Sequence, residues 1–477
     1  MRRSATALAV LLGTASACGG DTEAARPVPT ASNPAPRPAP PDTTAEPEPA
    51  PAPEAFDAPA TWTDDWILSQ AERYLDDAAF RRRILEASLT NPTNVYSAVR
   101  MSAYARADMG WDALPVWIPR AAPVTNETAR ALQTGAAWGL PADTEPLWDG
   151  TRPTTMDEWV ALGRRVFFAY PLRPEVFAEH ALAHPSVAEE IGVGPVADGT
   201  WPGFVAFVDL DQRTRVGITC ALCHVAVEDG AMVIGRAHRR LDYGQMRLAY
   251  HRDTGIEIDA DLAVRMASWG PGRADITQDD DEDPVAIPDL WRVREQTHLT
   301  QAGTLRHVHP AALAIRQETQ ILHANRERTR PPRELAWALA MYVYSLTPPP
   351  REEPAPSALT QTGAALFDTH CRNCHAEPNG TGVPIDAALV GTEPSLANGG
   401  ARGTGKYRPA PLVRIADAAP YLHHGVVPTL EALLGPQRLS PDYTGGVRGP
   451  GPIEGHRFGT ALPQPDRDAL LAYLRTL

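Results

Sequence analysis

"GITCALCHV" at residues 217–225 and "THCRNCHAE" at residues 369–377 decide how this chain is read. Each holds two cysteines three positions apart, with a histidine directly after the second. A dithiol redox pair has no need of that histidine. A structural zinc site draws its ligand pairs from within roughly 12–20 residues of one another, and these two patterns lie about 150 residues apart. Covalent porphyrin attachment fits without adjustment. Two thiols on one helical turn meet the vinyl groups as thioethers, and the adjacent histidine takes the iron. Cys220, Cys223 and His224 are therefore expected to hold one c-type haem, and Cys371, Cys374 and His375 a second. The cysteine count agrees. The fifth cysteine, Cys18, lies in the leader, so none remains for a structural disulfide in the folded part.

The leader "MRRSATALAVLLGTASAC" (1–18) has a basic start, an apolar run too short to span a bilayer, and small residues before Cys18. It is similar to an export signal with a lipoprotein box, in which cleavage precedes Cys18 and lipid joins its thiol. Ordinary signal cleavage is the alternative, because Ala15 stands where leucine is usual. The protein is expected in the periplasm, held to the outer membrane by a lipid anchor only. Residues 19–61 form the next segment, with 12 prolines among positions 21–60 and almost no large apolar side chain. Such a segment cannot offset its ordering entropy by burial. It is read as a disordered, extended linker of at most about 120 Å at ~3.1 Å per residue.

The whole chain has 477 residues, 43% of them hydrophobic, enough for two or three domains with real cores. Its formal charge of −14 argues against a nucleic-acid surface and leaves a soluble acidic protein, a charge that also suits a basic redox partner. From Trp62 onward the density of tryptophan, leucine and valine becomes globular. "DDWILSQAERYLDDAAFRRRILEASL" predicts one or two amphipathic helices, and "TMDEWVALGRRVFFAYPL" another, capped by Thr155. "GTWPGFVAFVDLDQRTRVG" predicts short extended pieces leading into the first attachment site. "PPRELAWALAMYVYSLTPPP" predicts a helix with Leu335, Leu339, Tyr342, Val343 and Leu346 on its apolar side, stopped by the prolines after it. "PPPREEPAP" (348–356) is then the domain boundary. The expected division is a first haem domain at 62–347, enlarged by an N-terminal helical region, and a second at 351–477. In the second, a helix delivers the attachment site and "PQPDRDALLAYLRTL" closes the unit with Leu470, Leu471 and Leu474 inward. Helix, haem pattern, long loop and closing helix make up the layout of a small c-type cytochrome.

All eight methionines lie at or before Met341, so the second unit cannot complete a His/Met pair from within itself. Its histidines are His370, His423, His424 and His456, and His370 is too close to Cys371 to reach the opposite haem face. His456, in the glycine-flanked "GHRFG" before the final helix, is the preferred distal ligand. His423 or His424 is the alternative, and an open iron the third option. For the first haem, Met246, Met266, His238 and His251 follow at suitable distances, but none has a context that separates it from a core or surface residue. An open distal face there is a serious option, and this is the haem to choose if one is catalytic.

"GKYRPAPLVRIADAAPYLHHGVVPTLEALLGPQRL" (405–439) resembles the bacterial di-haem cytochrome c peroxidase superfamily, a group with rubber-oxygenase-like and amine-dehydrogenase-maturation members. Pro411, Leu412, Arg414, Pro420, Tyr421, His423, Gly425, Thr429, Leu430 and Glu431 carry the resemblance. The later "GHRFGTALPQPDRDALLAYLRTL" is more similar to the rubber-oxygenase side, which adds weight to His456. The resemblance implies a mostly α fold with two cytochrome c-like haem domains packed about a haem–haem axis. It also makes Arg414 a candidate partner for a haem propionate, with a surface ion pair as the plain alternative. Trp269 is a candidate relay between the haems, with a core tryptophan as the plain alternative. Two departures stand out. His424 occupies the place of an Asp or Asn, and Leu434-Gly435 replaces the Met-Gly that supplies the peroxidases' high-potential ligand. Three functions follow as expectations: an electron carrier between periplasmic partners, an enzyme acting on peroxide or a small organic substrate at the first haem, and, more weakly, a haem sensor.

Overall fold

Thr155 opens the helix Met156–Ala169 with a capping box. Its hydroxyl accepts from the Glu158 N–H, and the Glu158 carboxylate accepts from the Thr155 N–H. In the computed structural model that shows this, the described residues are 58–59, 61–275, 283–351 and 356–477. The expected leader, Cys18, nearly all of the linker and part of the 348–356 boundary lie outside them. No helix among the described residues is long and apolar enough to cross a membrane.

Met156–Ala169 crosses the helix Arg333–Ser345 at Gly163, where backbones meet so closely that a Cβ would stand 1.9 Å from the Ala338 carbonyl oxygen. The same crossing recurs further along. Ala358–His370 meets Gln464–Leu474 at Gly363, where a Cβ would stand 2.0 Å from the Ala469 oxygen. Tyr342 and Tyr473 follow at equivalent places, each with its Cβ 2.7 Å from the added atom. Arg292 and Arg414 continue the parallel: both have φ +54° and precede a single 3-10 turn, Val293–Glu295 or Ile415–Asp417. Their N–H groups donate to Leu346 and Leu477 at 3.1 and 2.9 Å. The same helix crossing therefore occurs twice among the described residues, within 156–346 and within 358–477.

The fold is helix-rich, as expected, with several small sheets. The largest draws three of its four strands from the chain between Met156–Ala169 and the first attachment turn. Its central strand, Thr200–Val208, pairs antiparallel with Ala121–Thr125 on one side and Thr214–Ile218 on the other, with Arg173–Pro174 at the edge. Trp201, Phe204, Val205 and Phe207 are buried, the aromatic and β-branched content that suits a covered strand. The first unit is thus enlarged in two ways, by this insert and by the N-terminal helices.

Of those helices, Asp64–Asp76 and Ala78–Ser88 match the amphipathic reading of 64–89, and Val95–Ala103 follows beyond it. Glu318, 1% exposed on the helix Pro310–Ala324, ties them down by accepting from the Tyr74 and Tyr104 hydroxyls at 3.0 and 2.6 Å. Arg333 stands 3.6 Å from the same carboxylate, so the buried charge is compensated. The extension touches both units: the Thr90 N–H donates to Thr304 at 3.1 Å and the Tyr96 N–H to Ala401 at 2.9 Å.

Candidate haem sites

The strand Thr214–Ile218 runs directly into the first C-x-x-C-H turn. The Thr219 N–H donates to Gly203 at 2.9 Å, and the turn Ala221–His224 closes with Leu222 to Thr219 and His224 to Cys220. Gly203 has φ +86°, and a Cβ there would stand 2.2 Å from Leu222 Cα, so only glycine lets the strand lie against the turn. His224 Nδ1 lies 3.1 Å from the Pro288 carbonyl. An Nδ1–H donating there fixes the tautomer and leaves Nε2 with its lone pair for a metal. Burial holds His224 down at about 4, against the pull of Pro288 and Asp289, so the ring is neutral, its ligating form. Burial pushes the Cys220 and Cys223 thiols up to about 11 and 12. These are not the activated thiolates of a dithiol redox pair.

The second turn follows the helix Ala358–His370, with Cys374 and His375 N–H groups donating to Cys371 at 3.1 and 2.9 Å. His375 Nδ1 lies 2.9 Å from the Gly380 carbonyl, the counterpart of the contact at His224. Burial lowers the His375 pKa and raises that of Cys371 to about 11. All four of these cysteines are free thiols, half-buried, and none is tied up in a disulfide.

Here the two turns diverge. The His456 ring centre stands 6.3 Å from that of His375, with planes at 70°. Two imidazoles sharing one metal at about 2.0 Å from each nitrogen would put their ring centres about 6.2 Å apart. The spacing fits a six-coordinate haem iron between them. His456 sits at φ +42°, its N–H donating to Val390 at 2.6 Å and its Nδ1 buried without a hydrogen-bond partner among the described residues. Burial, with the charges of His375 and Arg438, lowers it to about 4.

Arg438 holds this loop. It is 0% exposed and donates to the carbonyls of Leu433, Ile453, Gly455 and His456 at 3.0, 2.5, 2.8 and 2.7 Å. Sequence reasoning gave Arg438 no role. The available signal was one arginine in the apolar frame of Leu434 and Leu439.

The other candidates lie in different surroundings, and among the described residues His424 Nδ1 is buried with no hydrogen-bond partner. His423, the alternative ligand, is stacked between Tyr407 at 4.0 Å and His424 at 4.3 Å. Arg414, the propionate candidate, makes the ion pair instead, binding Asp417 through two nitrogens at 2.8 and 2.6 Å and donating to Pro349 at 2.9 Å. Trp269 is a buried tryptophan stacked on Tyr243. Met246 and Met266 are fully buried, and Met246 belongs to an apolar core. Both His238 nitrogens lie on carbonyls, of Leu222 at 3.0 Å and Gly192 at 3.1 Å, bracing the first turn. His251 Nδ1 lies 3.0 Å from the Ile256 carbonyl.

A helix-rich chain with a cytochrome c-like domain is the class these features define. Residues 405–443 match a family described as RoxA-like, cytochrome c-like. That match implies c-type haem. A solved structure described as a MauG-like protein associated with microbial copper homeostasis is similar at 18% identity, over 45% of this chain and 80% of that one, with a TM-score of 0.29. No curated protein matches the chain.

Proposed function

We propose that the chain is an exported di-haem c-type cytochrome that moves electrons in the periplasm, with a closed second haem and an open first one. Cys220, Cys223 and His224 would hold one haem, and Cys371, Cys374, His375 and His456 the other. A bound c-type haem supplies an iron that takes up and releases one electron and, where a coordination position stays open, binds a small oxidant. The protein's part is to hold and orient. Pro288 and Gly380 carbonyls fix the proximal rings, and the Arg438 clamp fixes the distal loop. The observation that carries the reading is the 6.3 Å spacing of His375 and His456; among the described residues no second histidine ring faces His224 at that spacing.

That contrast also favours the second reading, an enzyme in which the first site takes peroxide or a small organic substrate and the second haem feeds or drains electrons. The lipid anchor at Cys18 and a periplasmic redox partner belong to the same proposal. Absorption spectra of the oxidised protein, with and without cyanide, test it. The expected result is one low-spin component indifferent to cyanide and one high-spin component that binds it. Two cyanide-indifferent low-spin irons would leave a pure electron carrier and remove the enzyme reading.

A further inference from the structure

Away from the ligating histidines, three parts of the chain bring cations together. The helix Val95–Ala103 carries Tyr96 and Arg100, the helix Pro310–Ala324 carries Arg316, and the loop after Gly399 carries Arg402. The Arg100 guanidinium carbon lies 3.2 Å from the Tyr96 ring centroid, and that of Arg402 lies 5.0 Å from it. On the helix Pro310–Ala324, Arg316, Gln320 and His323 share one face by their spacing, and Arg316 donates to Gln320 at 2.9 Å. His323 meets the Trp111 ring edge-on at 5.1 Å.

The hydrogen bonding here is incomplete. Tyr96 and Arg100 are 7% and 3% exposed, yet among the described residues Arg100 Nε and His323 Nε2 have no hydrogen-bond partner, and the Tyr96 hydroxyl has only the Arg100 guanidinium beside it. Buried polar groups are normally satisfied, and a buried cation needs compensation. Arg100 donates to the Tyr96 carbonyl at 2.9 Å and Arg316 to an amide, both neutral acceptors. Among the described carboxylates, Asp283 and Asp275 act on Arg402, Glu327 stands 3.7 Å from His323, and Glu318 is taken by Tyr74, Tyr104 and Arg333. Burial, with the charges of Arg402 and Arg316, brings Arg100 down to about 10, the direction an anion would reverse. The positive charge of Arg316 also reaches Cys220 and His224, which ties the cluster to the first attachment turn.

We propose that Tyr96, Arg100 and Arg316, with Arg402 at the rim, form a carboxylate-binding site beside the first haem position. Planar guanidinium forks match a carboxylate through paired N–H donors, and the Tyr96 hydroxyl adds a second kind of donor. The carboxylate has two sources, a propionate of the first haem or a free organic acid. The first source rests on the di-haem reading, and the second does not.

The test uses the full-length protein as purified, with Arg100→Leu and Tyr96→Phe. Haem per chain, the midpoint potentials and benzoate binding are measured together. If a propionate is held, Arg100→Leu at wild-type haem content lowers the potential of one haem and leaves the other, because losing a cation stabilises the oxidised state. Tyr96→Phe then shifts the same haem by less. If a free acid is held, the wild type binds benzoate saturably, Arg100→Leu weakens that at least tenfold, and the potentials in its absence stay put. Unchanged potentials together with absent or unaltered benzoate binding in both variants overturn the site. Should Arg100→Leu fail to fold, Tyr96→Phe, which deletes one oxygen, decides in the same directions. A wild type without pigment would defeat the haem reading instead, and calorimetric benzoate titration would still decide the site.

Discussion

The two C-x-x-C-H turns are supported alike on the proximal side and differently on the distal side. In each, a carbonyl fixes the histidine at Nδ1, 3.1 Å at His224 and 2.9 Å at His375, and a helix crossing at a glycine closes the unit. Beyond the second histidine a loop pinned by one buried arginine presents His456. In the first unit the helix Pro310–Ala324 precedes Arg333–Ser345, as the His456 loop precedes Gln464–Leu474 in the second. On the proposed reading, one scaffold used twice would serve two chemistries, with the distal segment setting what each iron can bind.

Arg438→Met strikes at that difference most strongly. Four carbonyls lose their donor, and at roughly 1–3 kcal/mol per buried unsatisfied group the variant should lose about 4 kcal/mol. Its low-spin signal should fall while the high-spin component stays. An unchanged low-spin signal would mean that the clamp does not govern the distal loop.

Gly163→Ala and Gly363→Ala probe what the units share. A Cβ 1.9 or 2.0 Å from a carbonyl oxygen must force the helices apart, at about 3 kcal/mol each on the scale of core overpacking. Comparable losses in denaturant titrations would support the duplication. A large loss at only one glycine would break it.

All eleven tryptophans lie at or before Trp337, so their fluorescence reports the first unit alone. There His307 and His309, 7% and 2% exposed, are held by burial at about 4 and about 3. Their folded pKa values lie below the unfolded value, so their stabilisation is complete above about pH 6.5 and is lost as pH falls toward those values. Each contributes a slope of up to about 1.4 kcal/mol per pH unit. Tryptophan-detected stability should decline across that window, and His307→Gln should flatten the decline.

The smallest effect concerns the capping boxes of the two entry helices. Thr155→Ala and Ser357→Ala should each cost about 1 kcal/mol in thermal unfolding. Unequal costs would show that one entry helix is held mainly by its packing.

What could be read in the sequence was what local rules determine. Thr155 and Glu158 announce a capped helix, the prolines after Leu346 end another, and the strand-rich stretch before Cys220 reads as extended. His456 could be singled out because its loop precedes the closing helix. The duplication was hidden because inserts of different length separate its parts: the sheet intervenes between Gly163 and Cys220, and nothing comparable separates Gly363 from Cys371. Gly163 with Ala338 and Tyr342, and Gly363 with Ala469 and Tyr473, show their equivalence only in contact. Arg438 was missed for the same reason, since its partners are backbone carbonyls that no side-chain pattern encodes. Arg414 was read with two options, and Asp417 three residues on takes it.

The most direct test of the account is the oxidised spectrum of His456→Ala, recorded alongside haem content in the same preparation. The account predicts two covalent haems per chain in both proteins, with the low-spin signal of the wild type replaced by a second high-spin, cyanide-binding one. A low-spin signal that survives the substitution, or a single haem per chain in the wild type, would contradict it.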